Sequence, residues 1–430
     1  MSDHVDSASQ SPERWRGRAG LVNSGALRSL AVVCASVIFL VPVNFVAPNR
    51  AVQVVVGLAL VAALGQLVLV AAVRGGRQAR VAAQVLLAFA LFWAAASGDP
   101  QGVLGLIAPL ASGLVLGFTA RSRIGDVILT VALVNGMSLI ADFLYGPGFV
   151  SSIFGELLFN SNLEASTRAR GILGQPVPAG IVASVVTVVL VGLYMAKRVS
   201  GVAALVGAAI SLVGLWLSGT RSGIVILALG LLLLWPSSRT RMRAKVRPGR
   251  LIASLVIIAT VLLAYGPIAR AVGRERIFAF GELSGTVSLT NRQMAPEVLS
   301  LWAETCSGIC AVAGSGPRSL QEYMSQYLGY YGVSTVDNLY VSVLWDAGIV
   351  GIAAMVLLLA TSARVILGRQ YDRAGRVCAA GVLMVLASGM FFDALYVNSV
   401  AVLTGVLGAT VITAERRRVV LDEDPPQGRR

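Results

Sequence analysis

At 430 residues, 56% of them hydrophobic and with a mean hydropathy of +0.78, the chain is too apolar for a soluble globular protein, where about 45–50% is usual. Its net charge of +14 would point to nucleic acid in a soluble chain; here it follows the positive-inside bias of membrane loops, and no nucleic-acid partner is expected. The only histidine is His4, in a polar tail, which excludes a histidine base and a histidine metal ligand.

The first 26 residues are polar and read as a disordered cytoplasmic tail with no cleavable signal peptide. Twelve apolar runs follow, at about 28–46, 51–73, 81–97, 102–120, 124–145, 176–196, 201–218, 222–236, 251–267, 347–367, 376–395 and 399–415, each near the roughly 20 residues that a membrane helix needs. The expected fold is therefore an all-α, polytopic bundle over residues 27–415, with a long extracytoplasmic loop at 268–346 carrying amphipathic helices and a cytoplasmic tail at 416–430. Placing both termini in the cytoplasm leaves 26 of the 35 basic residues inside and 9 outside. The exterior arginines, among them Arg168, Arg170, Arg221, Arg292 and Arg318, run against that bias and call for a reason.

Spans one to four carry almost no charge and read as scaffold. Span five ends at Asp142 and leads into a loop at 146–175 that closes on the turn GILGQPVP, Gly171 to Pro178; its charges are those of a solvated loop or of an ordered turn. SGTRSG, Ser218 to Gly223, is a tight turn that keeps Arg221 near the lipid boundary, either snorkelling to headgroups or serving a site. The basic run RTRMRAKVRPGR, 239–250, suits an anchor to anionic lipid heads. In the long loop, Met294, Val298, Leu301 and Trp302 mark one helical face, and Leu320, Tyr323, Met324, Tyr327, Leu328 and Tyr331 another, both of a kind suited to a membrane interface. Cys306 and Cys310 are a candidate disulfide if Gly308 turns the chain between them. Asp337 and Asn338 then occupy a polar turn before an apolar run that re-enters the membrane, where Asp337 either caps the next helix or presents a carboxylate at the surface.

RARGILGQP at 168–176, SGTRSG at 218–223, NRQMAPEVLSLW at 291–302, and the GSGP, VDN and WDAGIVG elements between Gly314 and Gly351 occur in the order found in O-antigen ligases and polymerases, which this chain resembles over about residues 165–360. The resemblance implies a multi-pass bacterial plasma-membrane enzyme of cell-surface polysaccharide assembly. It would move a glycan from a polyprenyl diphosphate carrier to a hydroxyl of a glycan or lipid-linked acceptor, with no metal or other cofactor. Arg221 and Arg292 match the family's diphosphate-binding arginines, and Arg170 and Arg318 are further candidates, with Asn338 beside them. Where many ligases carry a histidine, Asp337 stands, and a carboxylate also accepts a proton.

The chemistry agrees with those assignments. A departing diphosphate gathers negative charge, and guanidinium groups are permanently protonated donors shaped for phosphate oxygens. The alternative is a multi-span transporter or flippase, since twelve spans with both termini inside is also a transporter plan; transporters, however, often hold substrate-binding charge at the bilayer midplane, and these spans are nearly free of it there.

Overall fold

The computed structural model describes residues 25–40, 50–70, 72, 77–146, 149–150, 168–238, 294–328, 336–368 and 370–414. It is all-helical, with no strand among those residues. The long helices are α1 (Gly25–Leu40), α2 (Arg50–Leu69), α3 (Arg77–Ser97), α4 (Pro100–Thr119), α5 (Ile124–Tyr145), α6 (Pro176–Met195), α7 (Gly201–Ser218), α8 (Arg221–Ser238), α12 (Leu339–Leu367), α13 (Arg373–Ser388) and α14 (Asn398–Ile412). Between α8 and α12 stand α9 (Ala295–Thr305), α10 (Ile309–Ala313) and α11 (Ser319–Tyr323).

Helices thus stand at eleven of the predicted spans, while the ninth, the basic run 239–250 and both tails lie outside the described residues. Among the described residues, six segments are long and apolar enough to cross a membrane: Arg77–Ser97, Pro100–Thr119, Arg121–Tyr145, Pro176–Met195, Gly201–Ser218 and Leu339–Leu367. Arg28–Leu40, Val54–Leu69, Arg221–Leu234 and Asn398–Ile412 are shorter apolar helices.

Local chemistry sets the helix boundaries. Asp99 caps α4 by accepting from the Gly102 amide at 2.9 Å, with Pro100 in the first turn. Ser200 caps α7 and Asp372 caps α13 in the same way. In the centre of the bundle α6 is almost entirely buried, packed by α5, α7, α8 and α13. On another side α14 lies against α4, where a Cβ at Gly113 would run into the Val402 carbonyl and one at Gly405 into the Leu110 carbonyl. Such close approach of small residues supplies packing that lipid cannot.

Two expectations are corrected. The span counted from residue 347 is the latter part of a helix that begins at Leu339, where the apolar run after the polar turn is expected to start, because Asn338 caps it by accepting from the Tyr340 and Val341 amides and because Asp346 inside it is fully partnered. It breaks at Gly348 (φ 62°, ψ −159°). There the chain crosses Gly314, whose added Cβ would strike the Asp346 backbone, while one on Gly348 would strike Val312 and Gly314; the GSGP and WDAGIVG elements are two backbones in contact. The second correction concerns the amphipathic faces of the loop. Val298, Leu320 and Met324 are buried against Val336, Val341 and Trp345, with Met294, Leu301, Trp302 and Tyr323 partly buried alongside, so the buried residues of both faces meet protein; the side chains of Tyr327, Leu328 and Tyr331 lie outside those described. Cys306 and Cys310 form a disulfide across the turn at Gly308 (φ 58°).

Candidate functional site

Two buried carboxylates organise one end of the bundle. On α5, Asp142 is fully buried, and its oxygens accept from the backbone amides of Val150 (2.8 Å), Arg170 (3.0 Å) and Gly171 (2.8 Å). One turn earlier, the Ser138 hydroxyl accepts from the Ile172 amide at 3.0 Å. The RARGIL segment is thereby fastened to α5, with Arg170 8% exposed. Arg168 reaches from it to the next turn: its Nε donates to the Ser218 carbonyl at 2.8 Å and its Nη2 to the Thr220 hydroxyl at 3.2 Å. That hydroxyl donates in turn to the Pro176 carbonyl at 2.7 Å. The RARG and SGTR motifs are therefore one construction, and half-buried Arg221 opens α8 directly beyond it.

The second carboxylate is Asp346, 1% exposed. Its Oδ1 accepts from the Ser319 hydroxyl (3.1 Å) and the Leu320 amide (3.0 Å), and its Oδ2 from the Arg318 amide (2.7 Å) and the Tyr396 hydroxyl (2.7 Å). Its backbone carbonyl accepts from the Trp93 indole at 3.0 Å and the Gly316 amide at 3.1 Å. Arg318 is held in the left-handed region (φ 61°) by these bonds. Burial lowers the proton affinity of its guanidinium, against the opposing pull of Tyr396, Asp346 and Asp99, so its charge faces protein groups on three elements. Asp142 and Asp346 both hold the backbone in place.

Asp337 stands half-buried beside Asn338, and the helix cap belongs to Asn338. The Leu339 amide donates to the Gly389 carbonyl at 2.8 Å, and the Ser342 hydroxyl to Asp393 Oδ1 at 2.8 Å, so the connection after α13 lies against the start of α12. Burial pushes Asp393 up to about 7; the Ser342 bond opposes this, and the negative charges of Asp337 and Asp346 add to it. A carboxyl that holds its proton more tightly when folded favours folding fully below its ordinary pKa near 4, and loses that contribution as pH rises through about 7. Between pH 5 and pH 8 the melting temperature of the detergent-solubilised protein should therefore fall. Asp393→Asn, which keeps an acceptor for Ser342, should remove a part of that fall worth a few kcal/mol in order of magnitude; identical pH dependences in the two proteins would refute the assignment.

The two constructions share one end of the bundle. Gly192 packs on Val377 and Leu234, Gly381 on Val189, and Gly230 on Met384, so α13 runs antiparallel to α6 and α8. Its Ser388 end, followed by Asp393, is carried towards the end where Pro176 and Arg221 begin their helices. Arg170 and Arg221 thus belong to one cluster, and Arg318, Asp337 and Asn338 to its neighbour. Arg292 lies outside the described residues. No group of three or more His, Cys, Asp and Glu side chains among the described residues is arranged to hold a metal ion.

Sequence reasoning missed Ser342, Tyr396 and the task of Arg168. A signal existed for Ser342, since Asn338, Ser342 and Asp346 recur every four residues in an apolar run and form a polar stripe on one helical face. Asn135, Ser138 and Asp142 form such a stripe on α5. No protein-family model and no curated protein matches this chain.

Proposed function

We propose that the protein is a membrane glycosyltransferase of the O-antigen ligase or polymerase kind, moving a glycan from a polyprenyl diphosphate to an acceptor hydroxyl at the extracytoplasmic face. The observation that carries this reading is the gathering of the arginine-bearing segments 168–176 and 218–221 and the carboxylate-bearing segments 336–346 and 389–398 at one end of an apolar helical bundle. Arginines at a lipid boundary suit a lipid-borne diphosphate, and a carboxylate beside them suits an acceptor that must lose a proton. In the reaction the acceptor oxygen forms a bond to the anomeric carbon, the bond from that carbon to the diphosphate oxygen breaks, the diphosphate keeps the electron pair among the arginines, and the acceptor proton passes to Asp337.

The transporter reading has less support. Along the described long helices, the Asp, Glu, Lys and Arg side chains sit towards the ends, and α4, α6, α7 and α14 carry none. The test is purified protein in liposomes with a lipid-linked glycan donor and a hydroxyl acceptor. Glycan joined to acceptor, with one carrier diphosphate freed for each transfer, is the expected result. Donor that crosses the bilayer with its glycosidic bond intact would replace the enzyme reading with the transporter one.

A further inference from the structure

We infer that Arg168 is a positioning residue for Arg221, clamping the Ser218–Arg221 turn so that the Arg221 guanidinium is presented to a lipid-borne diphosphate; the diphosphate clause rests on the function proposed above.

The turn is two residues long, Gly219 (φ 61°) and Thr220, between the last residue of α7 and the first of α8. Within it the Gly219 amide donates to the Trp216 carbonyl at 2.9 Å and the Ser218 hydroxyl lies 3.0 Å from the Thr220 oxygen. Arg168 adds a tie from outside. Its Nε takes the Ser218 carbonyl, which stands at the C-terminal end of α7, where a cation is favoured by the helix dipole. Its Nη2 takes the oxygen of Thr220, 2% exposed, whose proton is already committed to the Pro176 carbonyl. The same segment is anchored two residues later, where Asp142 accepts from the Arg170 and Gly171 amides. The start of α6, the end of α7 and the start of α8 are thus tied through one guanidinium, and the next residue after the tie is Arg221. A lysine has the charge for the Ser218 carbonyl but lacks the planar fork that reaches Thr220 at the same time.

One test reads the turn without reference to any reaction. In a Ser222→Cys protein, reaction with a water-soluble maleimide reports the new thiol, because Cys34 and Cys378 are buried and Cys306 and Cys310 are paired. Adding Arg168→Ala should speed labelling about tenfold, the size expected from losing a charge-assisted hydrogen bond, and Arg168→Lys should fall between. Lysine also serves as the milder variant if alanine lowers the yield of folded protein. Unchanged labelling overturns the clamp. The second test measures binding of a sugar-free polyprenyl diphosphate to the protein in nanodiscs. Arg168→Ala should weaken binding, and the Arg168→Ala, Arg221→Ala double variant should bind no worse than Arg221→Ala alone, since Arg168 acts through Arg221. Additive losses overturn the positioning role. Full binding by Arg221→Ala overturns the diphosphate reading itself, while the labelling result still decides whether the clamp exists.

Discussion

Replacing Arg221 with alanine is expected to abolish glycan transfer, with a loss of roughly 10²- to 10³-fold or more, while the protein still accumulates in the membrane. The size follows from where charge develops. The diphosphate gains negative charge as the glycosidic bond breaks, and a guanidinium already fixed near that position stabilises the transition state without reorganising. Arg221 opens α8 after the turn that Arg168 and Thr220 hold. Arg221→Lys should recover little, because an ammonium keeps the charge and loses the two-point geometry. The same result is expected for Arg292→Ala. Initial rates with lipid-linked donor, alongside melting temperature and yield, are the measurement. Near-normal rates in both alanine variants would remove these residues from the donor site.

The residue pattern carried the helical class, and it did so because apolar runs of membrane length leave the backbone few alternatives to helix. It also drew attention to segments that carry arginines and carboxylates at the edge of lipid, since such groups are costly without partners. What it could not supply was the partner of each. Asp142, Asp346 and Asp393 look alike as single carboxylates near span ends, but three backbone amides occupy Asp142, four donors occupy Asp346, and Ser342 bonds Asp393. These contacts join residues up to 51 positions apart, and no local periodicity encodes them. The stripe Leu320 to Met324 shows the same limit, because an apolar helical face reads identically whether lipid or Trp345 covers it.

Asp337→Asn is the other substitution with a large expected effect, and the structure separates its two possible causes. A cap role for Asp337 would make the substitution harmless, since Asn caps about as well. The cap is already made by Asn338, whose side chain accepts from Tyr340 at 3.0 Å and Val341 at 3.4 Å. Asn338→Ala should therefore lower stability by about 1 kcal/mol. Asp337→Asn should show no loss of the size expected for a missing cap and should lose most of the transfer, because an amide cannot take the acceptor's proton. Asp337→His should keep part of the activity if proton acceptance is the role. A further readout is independent of the reaction. The charge of Asp337 helps hold Asp393 near 7, so removing that charge should let Asp393 ionise at lower pH, and the fall of stability with rising pH should end sooner and be smaller. Transfer at the wild-type rate by Asp337→Asn, with Asn338→Ala the inactive variant, would withdraw the proton-accepting role and leave the VDN turn a structural one.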